Sequence, residues 1–455
     1  MRRLAILAVL LAAGACTPPD RPRPAAASVT PPGGWRTALP GTAPVDARWW
    51  QGFGDPELSR LVEAALANNP DIAIAAARVA EARAQEGLAR AARFPTLDAG
   101  VGITEQRALN ALGRASTGTS AQPVFQSSYE VDLFGRIGNQ IEAARLSGVA
   151  ALAAADAARL SVAAATASGY VTLLGLDARI ATVRATIASR GEALRIARSR
   201  AEAGYTSRLE LRQAEAEYAG VTQTLPQLEL LARRQEDALA LLTGTPPRAI
   251  ARGTTLATLR SPPIPAGLPS ALLRRRPDIA QAEATLAASD ATLAAARAQF
   301  LPSLRLTGST GEVLSSALPN PVGIWSIGAS ILAPLFRGGQ LRAGLDTAAA
   351  RRDQAAFAYQ RAALTAFREV EDALAAVDRL GAQARALETQ RTALAEALRH
   401  ATNRYRAGYS PYLEQLDAQR ALFSAELSLE QVRADRLAAL VALYQALGGG
   451  WSAQP

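Results

Sequence analysis

Residues 70–97, PDIAIAAARVAEARAQEGLARAARFPTL, return in altered form at residues 277–304, PDIAQAEATLAASDATLAAARAQFLPSL. The offset, 277 − 70 = 207, holds without a gap from Pro70/Pro277 through Ile72/Ile279 to Pro95/Pro302. The downstream halves correspond as well. Leu133-Phe134-Gly135-Arg136 matches Leu335-Phe336-Arg337-Gly338, with 335 − 133 = 202. Ala203-Gly204-Tyr205-Thr206 matches Ala407-Gly408-Tyr409-Ser410, with 407 − 203 = 204. Solenoid units run to about 20–50 residues, so a repeat of this size is one architectural unit duplicated. The two copies are expected to pack side by side with pseudo-symmetry.

Alanine and leucine dominate, and all 49 basic residues are arginine. Ala, Leu, Arg, Glu and Gln are strong helix formers, so the composition favours long helices. A net charge of +9 and a pI near 10.3 would suit nucleic acid, but the arginines lie scattered beside Glu and Asp instead of forming one basic face. After the N-terminus no stretch reads as a membrane-crossing helix. Met1-Arg2-Arg3, the apolar run Leu4 to Ala12, and Ala13-Gly14-Ala15 read as a signal peptide over residues 1–15. Cys16, the sole cysteine, follows it and resembles a bacterial lipobox, in which the thiol is acylated; Ala13 stands where leucine is usual. Thr17 in place of Asp resembles lipoproteins sent to the outer membrane. Residues 16–48, rich in Pro, Ala and Thr, read as a weakly ordered tether that wraps the body.

The first unit is read over residues 49–249, a linker over 250–267, the second unit over 268–447 and a tail over 448–455. Each unit opens with helices: Asp55 caps one at Pro56, and a second runs from Asp71 to Arg93. The period then changes to two. Leu97, Ala99, Val101 and Ile103 alternate with Asp98, Gly100, Gly102 and Thr104, the pattern of an amphipathic strand. Residues 107–124 read as a polar loop, and Phe125 to Leu133 as a returning strand, giving a hairpin over 97–134. The second unit repeats this over 303–335, with Leu304, Leu306, Trp325, Ile327, Ala329 and Ile331 in register. Four strands of roughly ten residues match the length of a tilted membrane strand. They cannot close a barrel alone, because edge strands in hydrocarbon leave backbone groups unpaired. They pack on helices in a soluble α+β fold, or several chains pool them.

Long helical hairpins follow, over 136–243 and 337–447. The helix from Arg136 to Glu202 contains no proline and would extend on the order of 100 Å; helix resumes from Arg208 to Leu242. The stripes Phe367, Val370, Leu374, Val377 and Phe423, Leu427, Leu437, Val441, Tyr444 read as coiled-coil seams, or as plain two-helix packing.

These features resemble the TolC-like outer-membrane efflux factors, in particular the OprM/NodT lipoprotein branch. Cys16, Trp49-Trp50, Gly54-Asp55-Pro56, the paired Pro-Asp-Ile helices and the duplicated hairpins carry the likeness. So does Arg406-Ala407-Gly408-Tyr409-Ser410-Pro411-Tyr412-Leu413-Glu414-Gln415-Leu416-Asp417-Ala418-Gln419-Arg420, similar to the family's periplasmic-tip sequence. The resemblance implies a mainly α fold with a membrane β-barrel portion. It implies a homotrimer whose 3 × 4 = 12 strands close a barrel and whose helices form a coiled-coil tunnel. The implied partners are a periplasmic adaptor (membrane fusion) protein, an inner-membrane RND-type pump and outer-membrane lipid.

On that footing the start of the last helix is the candidate gate. Leu413 and Asp417 stand at i, i+4 and share a side; three-fold symmetry would make a leucine ring and a carboxylate ring. Arg420 is expected to pair with an acidic neighbour, and Glu414 sits where some relatives carry a second acidic ring. Gly204-Tyr205 and Gly408-Tyr409 mark the hairpin tips, where glycine supplies positive φ; a docking adaptor, or plain turn chemistry, accounts for them.

An enzyme is not expected. The single histidine, His400, cannot build a multi-histidine zinc motif, and without lysine there is no Walker A loop or Schiff base. No metal or cofactor is expected. A type I secretion conduit and a lipid-anchored envelope spacer remain the alternatives to an efflux duct.

Overall fold

The computed structural model describes residues 21–37, 46–109, 113–264 and 269–451; the expected signal peptide and Cys16 lie outside them. After a short turn of 3₁₀ helix, Trp49–Phe53, the helices are α1 Pro56–Asn68, α2 Pro70–Ala91, α3 Arg136–Glu202, α4 Arg208–Thr222, α5 Thr224–Leu242, α6 Pro269–Arg275, α7 Pro277–Ala298, α8 Gln340–Arg406 and α9 Tyr412–Ala446. The strands are β1 Thr96–Leu109, β2 Ala115–Val131, β3 Ser303–Ser315 and β4 Val322–Leu332. Two compact units result. Among the described residues one holds 21–28, 77–152 and 281–361, and the other 29–37 with 46–76, 153–280 and 362–451.

The first unit is organised by the sheet, antiparallel throughout in the order β1-β2-β3-β4. The strands are 14, 17, 13 and 11 residues long, all of them longer than the ten expected. The expected polar loop at 107–124 is a correction: pairing runs from Thr96↔Ser128 out to Leu109↔Ala115. A Ser/Thr/Gly segment lacks apolar alternation, yet ladder hydrogen bonds need no apolar side chain. The two repeats meet at β2–β3, where Tyr129 faces Leu306 and Val131 faces Leu304. A Cβ on Gly311 would overlap the Pro123 carbonyl oxygen and Val124 Cα, so glycine lets β3 approach a strand interrupted by proline. At the sheet's base Asp132 accepts from Ile137 N (3.1 Å) and Gly138 N (2.6 Å) and thereby caps α3. Arg136 returns to Glu130 at 2.8 Å.

The tether, expected to be weakly ordered, is held where it is described. Arg352 Nη2 donates to the Arg21 and Pro22 carbonyls, each at 2.9 Å, and Arg23 pairs with Asp290. In the second unit Arg36 N donates to Glu371 at 2.6 Å, and Trp35 lies 6.5 Å from Phe367.

The second unit owns the main apolar core. Trp49, Trp50 and Phe53 pack with Leu58, Leu61, Tyr170, Val171, Leu174, Leu239, Val441 and Tyr444. Asp55 caps α1 as expected, accepting from Glu57 N at 2.7 Å. Tyr170 Oη donates to the buried Asp55 (2.8 Å) and accepts from Gly253 N (2.9 Å), which ties α1, α3 and the inter-repeat segment together. Asn69 caps α2 by accepting from Asp71 N at 2.8 Å. Helices α3 and α9 come close enough that a Cβ on Gly175 would lie 2.6 Å from Ala434 Cβ. Phe367, Val370, Leu374 and Val377 are all buried, as their stripe implies.

Two helix readings are corrected. The stretch 208–242 is two helices, broken at Gln223. Pro226 cannot donate to the Thr222 carbonyl, and Thr222 Oγ1 bonds back to Tyr218 O at 2.7 Å, so the backbone ladder lapses there. Helix α3 contains an 18-residue window of mean hydropathy 1.4, apolar enough by composition to cross a membrane. The window owes its hydropathy to alanine in a 67-residue helix. Further along, Val162, Ala163, Ala164, Ala167, Val171 and Leu174 bury one side of α3 in the core, while only 28% of the window itself is buried.

Candidate functional site

Two surfaces carry the chemistry. The first is the sheet. Opposed residues of an antiparallel pair share a face, so the registers assign both faces across all four strands. One face carries Leu97, Ala99, Val101 and Ile103, then Phe125 and Tyr129, then Leu304 and Leu306, then Trp325, Ile327 and Ile331. It is bare: Val101 is 69% exposed, Trp325 76% and Ile327 84%. The opposite face carries Asp98, Gly100, Thr104, Gln126, Ser128, Arg305, Thr307, Ser309, Ser326 and Ser330. At the sheet's base Phe94, Phe134 and Phe336 are exposed as well. β1 and β4 are the edges.

The second surface is the pair of helix tips, both in the second unit. Gly204 (φ +75°) and Gly408 (φ +77°) close equivalent turns. Tyr205 N donates to Arg200 O and Tyr409 N to Arg404 O, both at 2.9 Å, which is the six-to-one bond of a Schellman cap. Tyr205 and Tyr409 stand almost fully exposed. Ser207 caps α4 through Glu210 N at 3.3 Å.

Below the tips, α9 seats Tyr412 and Leu416 against Ala197 of α3 and Ala214 of α4, with Leu194 and Tyr405 alongside. The rings of Tyr405 and Tyr412 are 5.5 Å apart. Tyr405 Oη donates to Glu210, and the Arg200 guanidinium lies 5.6 Å from the Tyr405 ring centre. Burial, then the Glu210 carboxylate, push the Tyr405 hydroxyl up to about 12. Arg420 does find an acidic partner: its Nε donates to Glu217 Oε2 at 2.7 Å. Glu217 is buried, and its other oxygen lies 3.7 Å from Nε of the equally buried Arg190. Burial draws the Arg190 guanidinium below its ordinary value against the pull of Glu217.

The structure brings Leu413, Glu414 and Asp417 onto an exposed side of α9, opposite the buried Tyr412, Gln415, Leu416 and Gln419. Glu414 lies 3.5 Å from Arg404. His400 is exposed. Arg190, Glu210, Glu217 and Tyr405 escaped the sequence reading. Each lies in a helix dense with Arg and Glu, where nothing in the spacing separates a buried charge from a solvated one. Among the described residues no cluster of His, Cys, Asp and Glu could hold a metal ion.

A sheet with one bare apolar face and one polar face, joined to 67-residue helices, defines a channel protein of the outer membrane with a long helical extension. A profile of outer membrane efflux proteins matches residues 61–245 and 268–449, one match per repeat. The chain belongs to that family and is an outer-membrane efflux channel. It is 36% identical to the pyoverdine export outer membrane protein OpmQ of Pseudomonas aeruginosa, over 99% of this chain and 97% of that protein. It is 36% identical to the outer membrane protein OprJ of the same species, over 98% and 95%. The outer-membrane channel OprN superposes with a TM-score of 0.85 at 30% identity, covering 96% of this chain and 99% of that one. The Campylobacter jejuni CmeC outer membrane channel gives 0.86 at 25% identity, covering 96% and 95%.

Proposed function

We propose that three copies of this chain form the passive exit duct of a tripartite efflux pump, conducting small molecules out of the cell. The bare apolar face ending in two unpaired edges carries this reading. Hydrocarbon covers such a face, but it tolerates no open edge, and pairing β4 of one copy with β1 of the next removes every edge. Three copies give 3 × 4 = 12 strands, an even number as bacterial barrels have. The polar face then lines the lumen. Cys16 carries the lipid that holds the chain to the outer membrane, and no catalytic residue takes part.

At the inner end Leu413 and Asp417 project into the lumen as rings of three, the leucines narrowing and drying the pore and the carboxylates favouring cations. Glu414 adds charge beside them. Arg420, clamped on Glu217 with Arg190 behind it, holds α9 against the α3–α4 hairpin and keeps the end shut. The exposed tips Gly204-Tyr205 and Gly408-Tyr409 receive the helical hairpin of a periplasmic adaptor, through which an RND-type inner-membrane pump delivers cargo. OpmQ, whose name places it in pyoverdine export, supports a small-molecule cargo.

Planar-bilayer recording of the purified protein tests this. The wild type is expected to show a small, cation-selective conductance, and Asp417→Ala with Arg420→Ala a larger, less selective one. Equal conductance from both would move the gate elsewhere; none from folded, inserted protein would remove the duct.

A further inference from the structure

The two repeats differ in charge where the sheet meets the helices. Asp98 of β1 and Arg305 of β3 correspond, since 305 − 98 = 207, so the second repeat reverses the sign. At the ends of β2 and β4 the 202-residue offset matches Glu130 with Leu332, Asp132 with Pro334 and Gly135 with Arg337. The first repeat therefore sets Asp98, Glu130 and Asp132 against the single cation Arg136. The second repeat has none of the three acids and carries two arginines, Arg305 and Arg337.

Strand pairing puts these groups on one face. Glu130 stands opposite Arg305, and Arg305 opposite Ser330, while Ser303 faces Leu332 in the last row of the sheet; both rows belong to the polar side that carries Asp98. At this end a cavity of about 250 Å³ is lined by Glu130, Asp132, Arg136, Gln299, Ser303 and Arg337. Its acids are already engaged. Glu130 accepts from Arg136 Nε at 3.0 Å and Nη2 at 2.8 Å, and Asp132 accepts from the two amides at the start of α3. Among the described residues Arg305 and Arg337 have no ion-pair partner, and both are exposed. The remaining acid of this face, Asp98, lies in the row of Gln126 and Ser309. At about 3.3 Å per residue and 4.8 Å per strand its backbone is roughly 16 Å from that of Arg305, too far to neutralise it by contact.

We propose that Arg305 and Arg337 form a site for the carboxylate groups of passing solutes, and that the cargo of this duct is anionic. A guanidinium presents a rigid fork of donors that fits a carboxylate. A cavity whose own acids are satisfied leaves that fork to the solute. Three copies supply 3 × 2 = 6 unpaired guanidiniums against three Asp98 carboxylates. The Asp417 ring acts on small ions crossing a constriction, whereas the arginines act on solutes in the barrel. The inference rests on the trimeric duct proposed above, with the polar face lining its lumen, and adds the chemical class of the cargo.

The test is made in the Asp417→Ala, Arg420→Ala background, which removes the carboxylate ring of the gate, by recording the reversal potential across a gradient of potassium acetate in planar bilayers. Adding Arg305→Gln and Arg337→Gln is expected to lower the acetate-to-potassium permeability ratio roughly two- to threefold. Arg107→Gln, which removes the same charge from the opposite face of β1, should leave the ratio unchanged. Both arginines of the site are exposed and unpaired, so their replacement leaves the fold intact, and native mass measurement in detergent checks each variant for trimers. A permeability ratio unmoved by the Arg305 and Arg337 changes, in channels that conduct, overturns the anion site. Protein that is not trimeric, or that inserts folded and does not conduct, overturns the duct instead, so the two failures are told apart.

Discussion

Tyr170 shows how much one side chain can join. Its hydroxyl satisfies a buried Asp55 oxygen and the Gly253 amide at once, and desolvation followed by the nearby acids raises its pKa far above the ordinary phenol value. Tyr170→Phe keeps the ring and strands both partners. It is therefore expected to cost about 2–3 kcal/mol and to lower the midpoint of thermal unfolding followed by far-ultraviolet circular dichroism in detergent. Tyr205→Phe, at an exposed tip, should leave the midpoint unchanged. Asp55 was legible in the sequence because a cap followed by proline is local chemistry. Its tie to Tyr170 spans 115 residues, and no local pattern carries such a contact. The same holds for Glu217 and Arg420, whose pairing depends on which helices become neighbours.

Elements were legible in proportion to their periodicity. Helix α3 falls at its expected bounds because nothing in it interrupts the ladder, and the apolar alternation marked β1 and β4. The outer half of the first hairpin was lost because Ser, Thr, Gly and Pro read as loop, though their backbone groups pair as well as any. Pro123 and Gly311 mark the cost and its remedy: a proline in β2 is tolerated where a glycine in β3 lets the strands close. Gly311→Ala forces its Cβ onto the Pro123 carbonyl and must open the β2–β3 ladder that joins the repeats. Its thermal midpoint is expected to fall clearly, whereas Gly323→Ala in β4, with nothing within 4 Å of the added carbon, should match the wild type. Equal midpoints would show that the sheet absorbs the overlap by shifting.

For the whole molecule, duplication explains why one chain looks unfinished. Each repeat supplies two strands and one hairpin, the contacts between repeats satisfy one side of each, and the other side faces outward with an apolar face and a free edge. The sequence could reveal the duplication and the alternation, but it could not reveal that both repeats turn their apolar residues to the same face. That follows from registers fixed by pairing. The two faces make opposite demands on one substitution. Ile327→Arg places a guanidinium on the face proposed to meet lipid, at a cost of about 2–4 kcal/mol if it lies near the midplane. Ser326→Arg, the adjacent residue, places the same group on the face proposed to line the lumen and would add three positive charges to the proposed ring of three copies. The first is expected to reduce the protein recovered in isolated outer membranes. The second should assemble normally but lose cation selectivity in planar bilayers. Should Ser326→Arg block assembly while Ile327→Arg spares it, the faces are assigned the wrong way round, and the polar strand residues meet the membrane.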